Sequence, residues 1–195
     1  MPKATLALLL LLASCATHFG SGVDGATLVV SVPDQRLAVI ENGVRVASYP
    51  VSTSRFGVGD YPRSFATPLG ELMVAQKIGD GAPLGAVFKG RRWTGEILRP
   101  NSPGRDPIVT RILWLRGLEG CNRNAYNRGI YIHGTPVERL IGRPASYGCI
   151  RMRSRDVAQL FDQVAIGSHI VILNEPLSRA VHELAAVHHH ASIAG

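Results

Sequence analysis

The sequence predicts a mainly β domain. Gly and Pro contribute 21 and 12 of the 195 residues without a regular period, which is typical of a turn-rich β protein rather than a helical bundle. Short apolar runs alternate with these turn residues. Asn42-Gly43 lies between two such runs and predicts a hairpin, because a type I′ turn needs positive φ at both central residues. The length allows one domain with short appendages.

The N-terminal half is predicted to contain four strands. Each is a run of apolar or β-branched residues bounded by turn residues, and the stretch between the third and the fourth, residues 52–70, is rich in Gly, Pro and Ser. The strands cover residues 27–32, 36–41, 44–51 and 71–78.

The C-terminal half begins with a long Gly- and Pro-rich loop, residues 79–107, and loops of this length in a compact domain are usually functional. Ser154 is a predicted N-cap, because apolar residues recur at helical spacing from there to Val164, and the helix should end near Gly167. Strands at 108–115, 130–132 and 169–173 and a helix at 177–187 complete the prediction.

Residues 1–14 have the pattern of a secretory signal peptide. One lysine precedes an apolar run of ten residues, and small residues follow it. Leu12-Ala13-Ser14-Cys15 resembles the lipobox of bacterial lipoproteins, so Cys15 is the predicted lipidation site, and ordinary cleavage after Ala16 is the alternative. We therefore expect export, a tether at residues 15–25, one domain at residues 26–173, a partly helical tail at residues 174–195 and no transmembrane helix.

The chain is strongly basic. Its formal charge of +7 comes from 21 Lys and Arg residues against 14 acidic residues, a balance that favours anionic partners such as nucleic acid, anionic lipid or a carboxylate-rich polymer. A solubilising surface charge is the alternative explanation. Because the sequence contains no zinc-ligand spacing, phosphate-binding glycine loop or nucleic-acid motif, we expect neither metal nor cofactor and no nucleic-acid partner.

Two cysteines, Cys121 and Cys149, remain once the signal segment is set aside. Exported proteins meet an oxidising environment, in which the two thiols could pair in a disulfide. The alternative is that one thiol stays free because it is catalytic.

The segment from His133 to Arg151 contains the residue types that a cysteine nucleophile needs. Cys149 follows Gly148, where the missing side chain lets backbone amides and a substrate carbonyl approach. His133 lies 16 positions upstream and could accept the thiol proton. Arg151 would favour a thiolate or an anionic substrate group. A core histidine and an inert buried cysteine would give the same spacing.

The residues around this pair resemble the active-site signature of the L,D-transpeptidases. His133-Gly134-Thr135 is followed by Ser146-Tyr147-Gly148-Cys149-Ile150-Arg151-Met152, which matches that family's His-Gly pair and Ser-x-Gly-Cys turn. Tyr147 departs from the pattern, since a second histidine is common there. The resemblance extends over residues 26–173 through Gln35-Arg36-Leu37, Tyr49-Pro50-Val51-Ser52-Thr53 and Thr67-Pro68-Leu69-Gly70.

The resemblance implies a β-sandwich of mixed sheets with a long cleft loop, one or two short helices and a peptidoglycan stem peptide as substrate. Cys149 would attack the carbonyl of diaminopimelate, release D-Ala and pass the acyl group to an amine, forming a cross-link or a protein attachment. His133 would be the base and then the acid, oriented by the Gly134 carbonyl. The remaining implied residues are the oxyanion amides of Gly148 and Cys149, Ser146 and Tyr147 at the substrate, and Arg151 and Arg153 for stem carboxylates.

Two other functions are compatible with the same residues. A carboxypeptidase or amidase on the same polymer would use water as the acceptor without changing the acylation step. A catalytically silent wall-binding module is the second, although the complete Cys149 and His133 pair argues against it. In each case the expected location is the bacterial cell envelope, in the periplasm, with membrane contact only through a lipid on Cys15. The oligomeric state is left open.

Overall fold

The structure is a computed structural model that describes residues 26–181. Within that range lie ten strands and one complete α-helix, with short 3-10 helices at Gly120–Asn122 and Glu138–Leu140. The predicted signal segment, Cys15 and most of the tether and tail lie outside the described residues. The elements are β1 (Thr27–Ser31), β2 (Arg36–Glu41), β3 (Val44–Pro50), β4 (Gly70–Ile78), β5 (Ala86–Lys89), β6 (Arg92–Ile97), β7 (Ile108–Gly117), β8 (Tyr131–Gly134), β9 (Ile150–Met152), α1 (Ser154–Gln163) and β10 (His169–Leu173).

The strands form one continuous mixed sheet. Its main path runs β3-β2-β1-β10-β4-β7-β5-β6, and β8 joins β7 while β9 joins β8. The β1–β10 and β8–β9 pairs are parallel and the others antiparallel. The mainly β, mixed architecture predicted from the sequence is confirmed. The layers of the predicted sandwich belong to a single hydrogen-bonded sheet that branches at β7.

The main core lies between the two parts of this sheet. Apolar side chains of β1, β2, β4 and β7 face those of β8, β9 and α1. The helix contributes its residues at i, i+3, i+4 and i+7, as the sequence pattern predicts. The residues of α1 and its C-cap in this core are Val157, Leu160, Phe161 and Val164.

Both ends of α1 are capped by side chains from other elements. Ser154 was the predicted N-cap, and this is wrong: it is the first helical residue, and its backbone N–H donates to Glu138 Oε1 at 2.8 Å. At the other end Lys77 Nζ donates to the carbonyls of Phe161 and Val164, both at 2.6 Å. These contacts satisfy backbone groups that a helix leaves unpaired at its ends.

The long loop predicted at residues 79–107 contains a hairpin, β5 and β6, which the sequence pattern missed. The side chains of β6 are mostly exposed, so the strand has no apolar alternation to reveal it. The rest of the loop, residues 98–107, folds back toward the end of β8. There the Asn101 backbone N–H donates to the Pro136 carbonyl at 2.5 Å, which holds the loop against the segment after β8.

The strand predicted at residues 130–132 lies at Tyr131–Gly134, so His133 and Gly134 are part of β8. The three-residue strand β9 was not predicted. The strand predicted at residues 169–173 is confirmed as β10.

The C-terminal tail packs on the outer face of the sheet. Residues 177–181 are helical, as predicted for the first part of the helix at 177–187, and Leu177 and Ala180 are buried against Val29, Ala38 and Ile40. None of the helices in the described range combines the length and the hydropathy that a membrane span requires.

Truncation of the helix in the core should destabilise the domain. Leu160 is fully buried, so Leu160→Ala leaves a cavity and should lower the free energy of unfolding by about 2–5 kcal/mol. Denaturant unfolding followed by circular dichroism measures this. Gln159→Ala, on the exposed side of the same helix, is the control, and its change should stay within about 0.5 kcal/mol. Equal effects would show that α1 does not depend on this packing.

Candidate active site

The parallel pairing of β8 and β9 brings the histidine and the cysteine together. Ile132 pairs with Ile150 and His133 with Arg151, and the two isoleucines face the main core. Because side chains alternate along a strand, His133 and Arg151 point to the opposite face. Cys149, one residue before β9, packs on that same face beside Tyr131. The side chains of His133 and Cys149 therefore both lie on the side of the sheet away from the main core.

Cys149 is a free thiol, so the alternative of a disulfide with Cys121 does not apply. Its Sγ donates to the Gly129 carbonyl oxygen at 3.4 Å. Burial raises the pKa of this thiol above its ordinary value of 9.0, while the Tyr131 amide and the charges of Arg151 and Arg128 oppose that shift. The sulfur is therefore protonated at neutral pH.

His133 is almost fully buried, at 5% exposure. Its Nδ1 lies 2.8 Å from the Gly134 carbonyl oxygen. Because a carbonyl only accepts, Nδ1 carries the proton of the neutral ring, and Nε2 is free to accept another. Burial lowers the pKa of His133 from 6.5 to about 4; the Gly134 carbonyl and Asp106 raise it and Arg151 lowers it further. At neutral pH the imidazole is uncharged.

Glycine is required at position 134 because β7 passes unusually close. A Cβ at Gly134 would lie 2.6 Å from the Val109 carbonyl oxygen and 3.2 Å from Thr110 Cβ. The register of β7 against β8 shifts between Val109 and Ile112, and Thr110 within this bulge has a φ of 73°. A β-branched residue at positive φ is strained, and such strain is concentrated at functional sites.

The turn before Cys149 is held by its own hydrogen bonds. The buried Ser146 hydroxyl accepts from the Gly148 N–H at 3.2 Å and donates to the Cys149 carbonyl at 2.6 Å. Gly148 has a φ of 114°, and a Cβ there would lie 3.2 Å from the Ala66 carbonyl oxygen. Thr67 Oγ1 donates to the Gly148 carbonyl at 3.0 Å. Ser146 therefore shapes the turn, and the Gly148 amide is already engaged.

Unlike the Gly148 amide, the Cys149 backbone N–H has no hydrogen-bond acceptor among residues 26–181. This donor lies on the residue that bears the thiol and is available to a bound substrate.

Arg151 is paired within the protein. Its Nη1 lies 2.5 Å from Asp106 Oδ2, and Asp106 Oδ1 accepts from Thr135 Oγ1 at 2.5 Å. The guanidinium expected to bind a substrate carboxylate is thus 7% exposed and occupied by a carboxylate of the chain itself. Arg153, the other candidate, is exposed and lies 3.9 Å from Asp156. Sequence reasoning assigned no role to Asp106, because no local spacing links this loop residue to Arg151.

A second buried ion pair, Arg128–Asp60, lies next to the backbone that contacts the thiol. Arg128 Nη1 donates to Asp60 Oδ1 at 2.5 Å, and both side chains are under a tenth exposed. Arg128 Nη2 donates to the carbonyls of Ser64, at 2.9 Å, and Ala66, at 2.5 Å. Because Arg128 precedes Gly129, these bonds hold the carbonyl that contacts Cys149. No motif in the sequence pointed to this pair.

Tyr147 is half exposed and contacts Phe56 and Phe65. Tyr147 also lines a cavity of about 420 Å³ together with Gly129, whose carbonyl contacts the thiol. Within residues 26–181 no group of three or more His, Cys, Asp or Glu side chains could hold a metal ion.

Comparison with known proteins places these residues in a family context. The L,D-transpeptidase catalytic domain family (YkuD) matches residues 25–172. Among curated proteins, "Probable L,D-transpeptidase ErfK/SrfK" of Salmonella typhimurium is 42% identical over 50 residues, which is 26% of this chain and 16% of that protein. "Probable L,D-transpeptidase YbiS" of Escherichia coli is 39% identical over 46 residues, 24% of this chain and 15% of that protein. These matches span about a sixth of the relatives' length.

Solved structures share the fold. L,D-transpeptidase 3 from Mycobacterium tuberculosis aligns with a TM-score of 0.50 at 18% identity, covering 76% of this chain and 61% of the other. The Ldtfm–avibactam carbamoyl enzyme aligns with a TM-score of 0.50 at 16% identity, covering 79% and 51%. At these identities the likeness concerns the fold alone.

The buried Arg128–Asp60 pair should matter far more than a surface pair. Asp60→Asn leaves a buried guanidinium without its counter-charge and should lower the free energy of unfolding by about 3–5 kcal/mol. The control is Glu96→Gln, which removes the exposed ion pair with Arg105 and should cost no more than about 1 kcal/mol. Chemical denaturation measures both. A cost for Asp60→Asn as small as the control's would contradict the structural role of the buried pair.

Proposed function

The chain belongs to the L,D-transpeptidase catalytic domain family, and from that premise we propose that it is a cysteine-dependent peptidoglycan L,D-transpeptidase. Its donor substrate in this proposal is a tetrapeptide stem ending in diaminopimelate and D-Ala. The observation that carries the proposal is the free Cys149 thiol and the neutral His133 imidazole on one face of the β8–β9 pair.

In the acylation step both reactive groups start uncharged. As Cys149 Sγ attacks the diaminopimelate carbonyl carbon, His133 Nε2 accepts the thiol proton, so proton transfer accompanies formation of the C–S bond. The carbonyl oxygen becomes an oxyanion, to which the free Cys149 amide N–H can donate. The imidazolium then gives its proton to the departing amine, the C–N bond breaks, D-Ala leaves and a thioester remains on Cys149.

The second step reverses the roles. The amine of an acceptor attacks the thioester carbonyl, and His133 takes a proton from it and returns one to the sulfur as the C–S bond breaks. A new amide bond links acceptor and donor, as a cross-link or as attachment to a protein. Water as the acceptor would instead make the enzyme a carboxypeptidase.

The surroundings favour this use of His133. Its imidazolium exists only during the reaction, and the Gly134 carbonyl and the Asp106 carboxylate both raise the pKa of the ring toward that form. Arg151 opposes Asp106, and burial, the largest effect on the pKa of His133, keeps the resting ring neutral. In this proposal Asp106 and Arg151 act through His133 and are positioning residues.

We also propose that the protein acts in the bacterial cell envelope. This rests on the sequence alone: the signal pattern of residues 1–14 and the lipobox ending at Cys15. Lipidation of Cys15 would hold the domain at a membrane surface in the periplasm, near its polymeric substrate.

Product analysis tests the activity. The full chain incubated with disaccharide-tetrapeptide should release D-Ala and form a cross-linked dimer that has lost one D-Ala, as read by mass spectrometry. Cys149→Ser and His133→Ala should reduce D-Ala release by at least about 10³-fold, since each removes a partner of the same proton transfer. The melting temperature of each variant controls for folding. Tripeptide without dimer would identify a carboxypeptidase, and no D-Ala release from folded, reduced protein would favour a wall-binding module.

The pH dependence distinguishes a neutral pair from a preformed thiolate–imidazolium pair. With the pKa of His133 at about 4, the base is competent above that pH, so kcat/KM for D-Ala release should rise through about pH 4. Because the pKa of Cys149 is raised above 9.0, alkylation of this residue by iodoacetamide should be slow at pH 7 and still increase at pH 9. An acid limb near pH 6.5, or alkylation that is constant above pH 7, would contradict a neutral resting pair.

A further inference from the structure

Three aromatic side chains form an exposed shelf beside the nucleophile. Phe56, Phe65 and Tyr147, here called the aromatic shelf, are 50%, 55% and 50% exposed. Their ring centroids lie 5.4–5.6 Å apart, so they form one contiguous apolar surface. Contiguous exposed apolar surface on a soluble domain commonly marks a binding site.

Arg55 lies over this shelf. Its guanidinium carbon is 4.9 Å from the Phe56 ring centroid and 4.5 Å from that of Tyr147. Its Nη2 donates to the Tyr147 hydroxyl at 2.5 Å. These contacts hold the guanidinium in place, and because its other N–H groups make no hydrogen bond within residues 26–181, they can still donate. Arg55 is exposed, and in the described part of the chain it makes no ion pair.

The shelf is joined directly to the catalytic turn. Tyr147 is two residues before Cys149, and the Arg55 backbone N–H donates to the Ser146 carbonyl at 3.2 Å. Phe65 and Tyr147 line the 420 Å³ cavity together with Gly129, whose carbonyl contacts the thiol. A ligand with its carbonyl at Cys149 would therefore have the aromatic shelf next to it, across the turn that carries Tyr147.

The charges around the nucleophile identify the chemistry of that ligand. The other two guanidinium groups near the thiol are engaged, Arg151 with Asp106 and Arg128 with Asp60. Arg55 keeps both an unneutralised charge and free donors, and the exposed Arg63, which lines the cavity, adds a second positive charge nearby. A planar guanidinium with free edge donors matches a carboxylate, which it can bind through two parallel hydrogen bonds.

We propose that Arg55, oriented by the aromatic shelf, binds a carboxylate of the stem peptide and so determines substrate affinity. This deepens the proposed function, on which it rests for the identity of the peptide. The apolar part of the stem packs on the shelf while its carboxylate meets the guanidinium. Arg55 thus takes the role that the sequence had suggested for Arg151, and Tyr147 supplies the ring and hydroxyl that orient it.

Binding to a variant that cannot turn over tests the subsite. In a Cys149→Ala background of the full chain, isothermal titration calorimetry compares the free tetrapeptide stem with the same stem amidated at all its carboxylates. Arg55→Gln should weaken binding of the free stem about tenfold, the loss of one charge-assisted interaction, and leave binding of the amidated stem unchanged. Tyr147→Phe, which keeps the ring and removes the hydroxyl, should give a smaller loss of about threefold.

Arg45→Gln is the matched control. It removes the same charge from the exposed edge strand β3 and should leave both affinities unchanged. In the catalytically intact chain Arg55→Gln should raise KM for the free stem with little change in kcat, since Arg55 touches no reacting atom.

Three results would overturn the proposal. These are an unchanged affinity for the free stem in Arg55→Gln, an equal loss for the free and the amidated stems, and no stem binding at millimolar concentration in the Cys149→Ala chain. Failure of the proposed function is distinguishable from these. Carboxylate-dependent, Arg55-dependent stem binding without D-Ala release by the unmodified chain would contradict the activity and leave the subsite standing.

Discussion

The register of the parallel β8–β9 pair is the constraint on which the site depends. A shift of one residue would turn Cys149 toward the main core and bring Ile150 to the face of His133, because alternate residues of a strand face opposite sides. Several features hold this register in place. The β7 bulge accommodates Gly134 on one side, and the bonds of Ser146 fix the turn on the other. The core packing of Ile132 and Ile150 then makes any slip costly.

Nearby charges partly offset the effect of burial on the pKa values of Cys149 and His133. Both Cys149 and His133 are neutral because burial disfavours their ionised forms. The two nearby arginines do not add free charge, since each is matched by a carboxylate from a distant part of the chain. Within residues 26–181, unpaired positive charges lie on the exposed Arg55 and Arg63, outside the buried Cys149 and His133.

Local patterns predicted much of this molecule, and long-range pairing accounts for what they missed. The strands β2 and β10 follow from short apolar runs, and the resemblance to a family signature singled out His133 and Cys149 as candidate catalytic residues. The exposed strand β6 has no alternation of apolar and polar residues that could have predicted it. Ser154 has the residue type of an N-cap, but the N-terminus of α1 is capped instead by Glu138, which lies in another segment of the chain. Asp106 could not be found because its partner Arg151 is adjacent only in the fold.

The position of β10 in the sheet determines when the domain can finish folding. This strand, near the end of the domain, inserts between β1, at its beginning, and β4, pairing Ile170 with Leu28 on one side and Leu72 on the other. Until β10 has been synthesised, both neighbours present unpaired edges that can bind other chains. Cys149 precedes β10 in the chain, but the sheet that positions it cannot close until β10 is present. Contacts of such long sequence separation make folding slow, so these edges stay open to aggregation until the whole domain is available to fold.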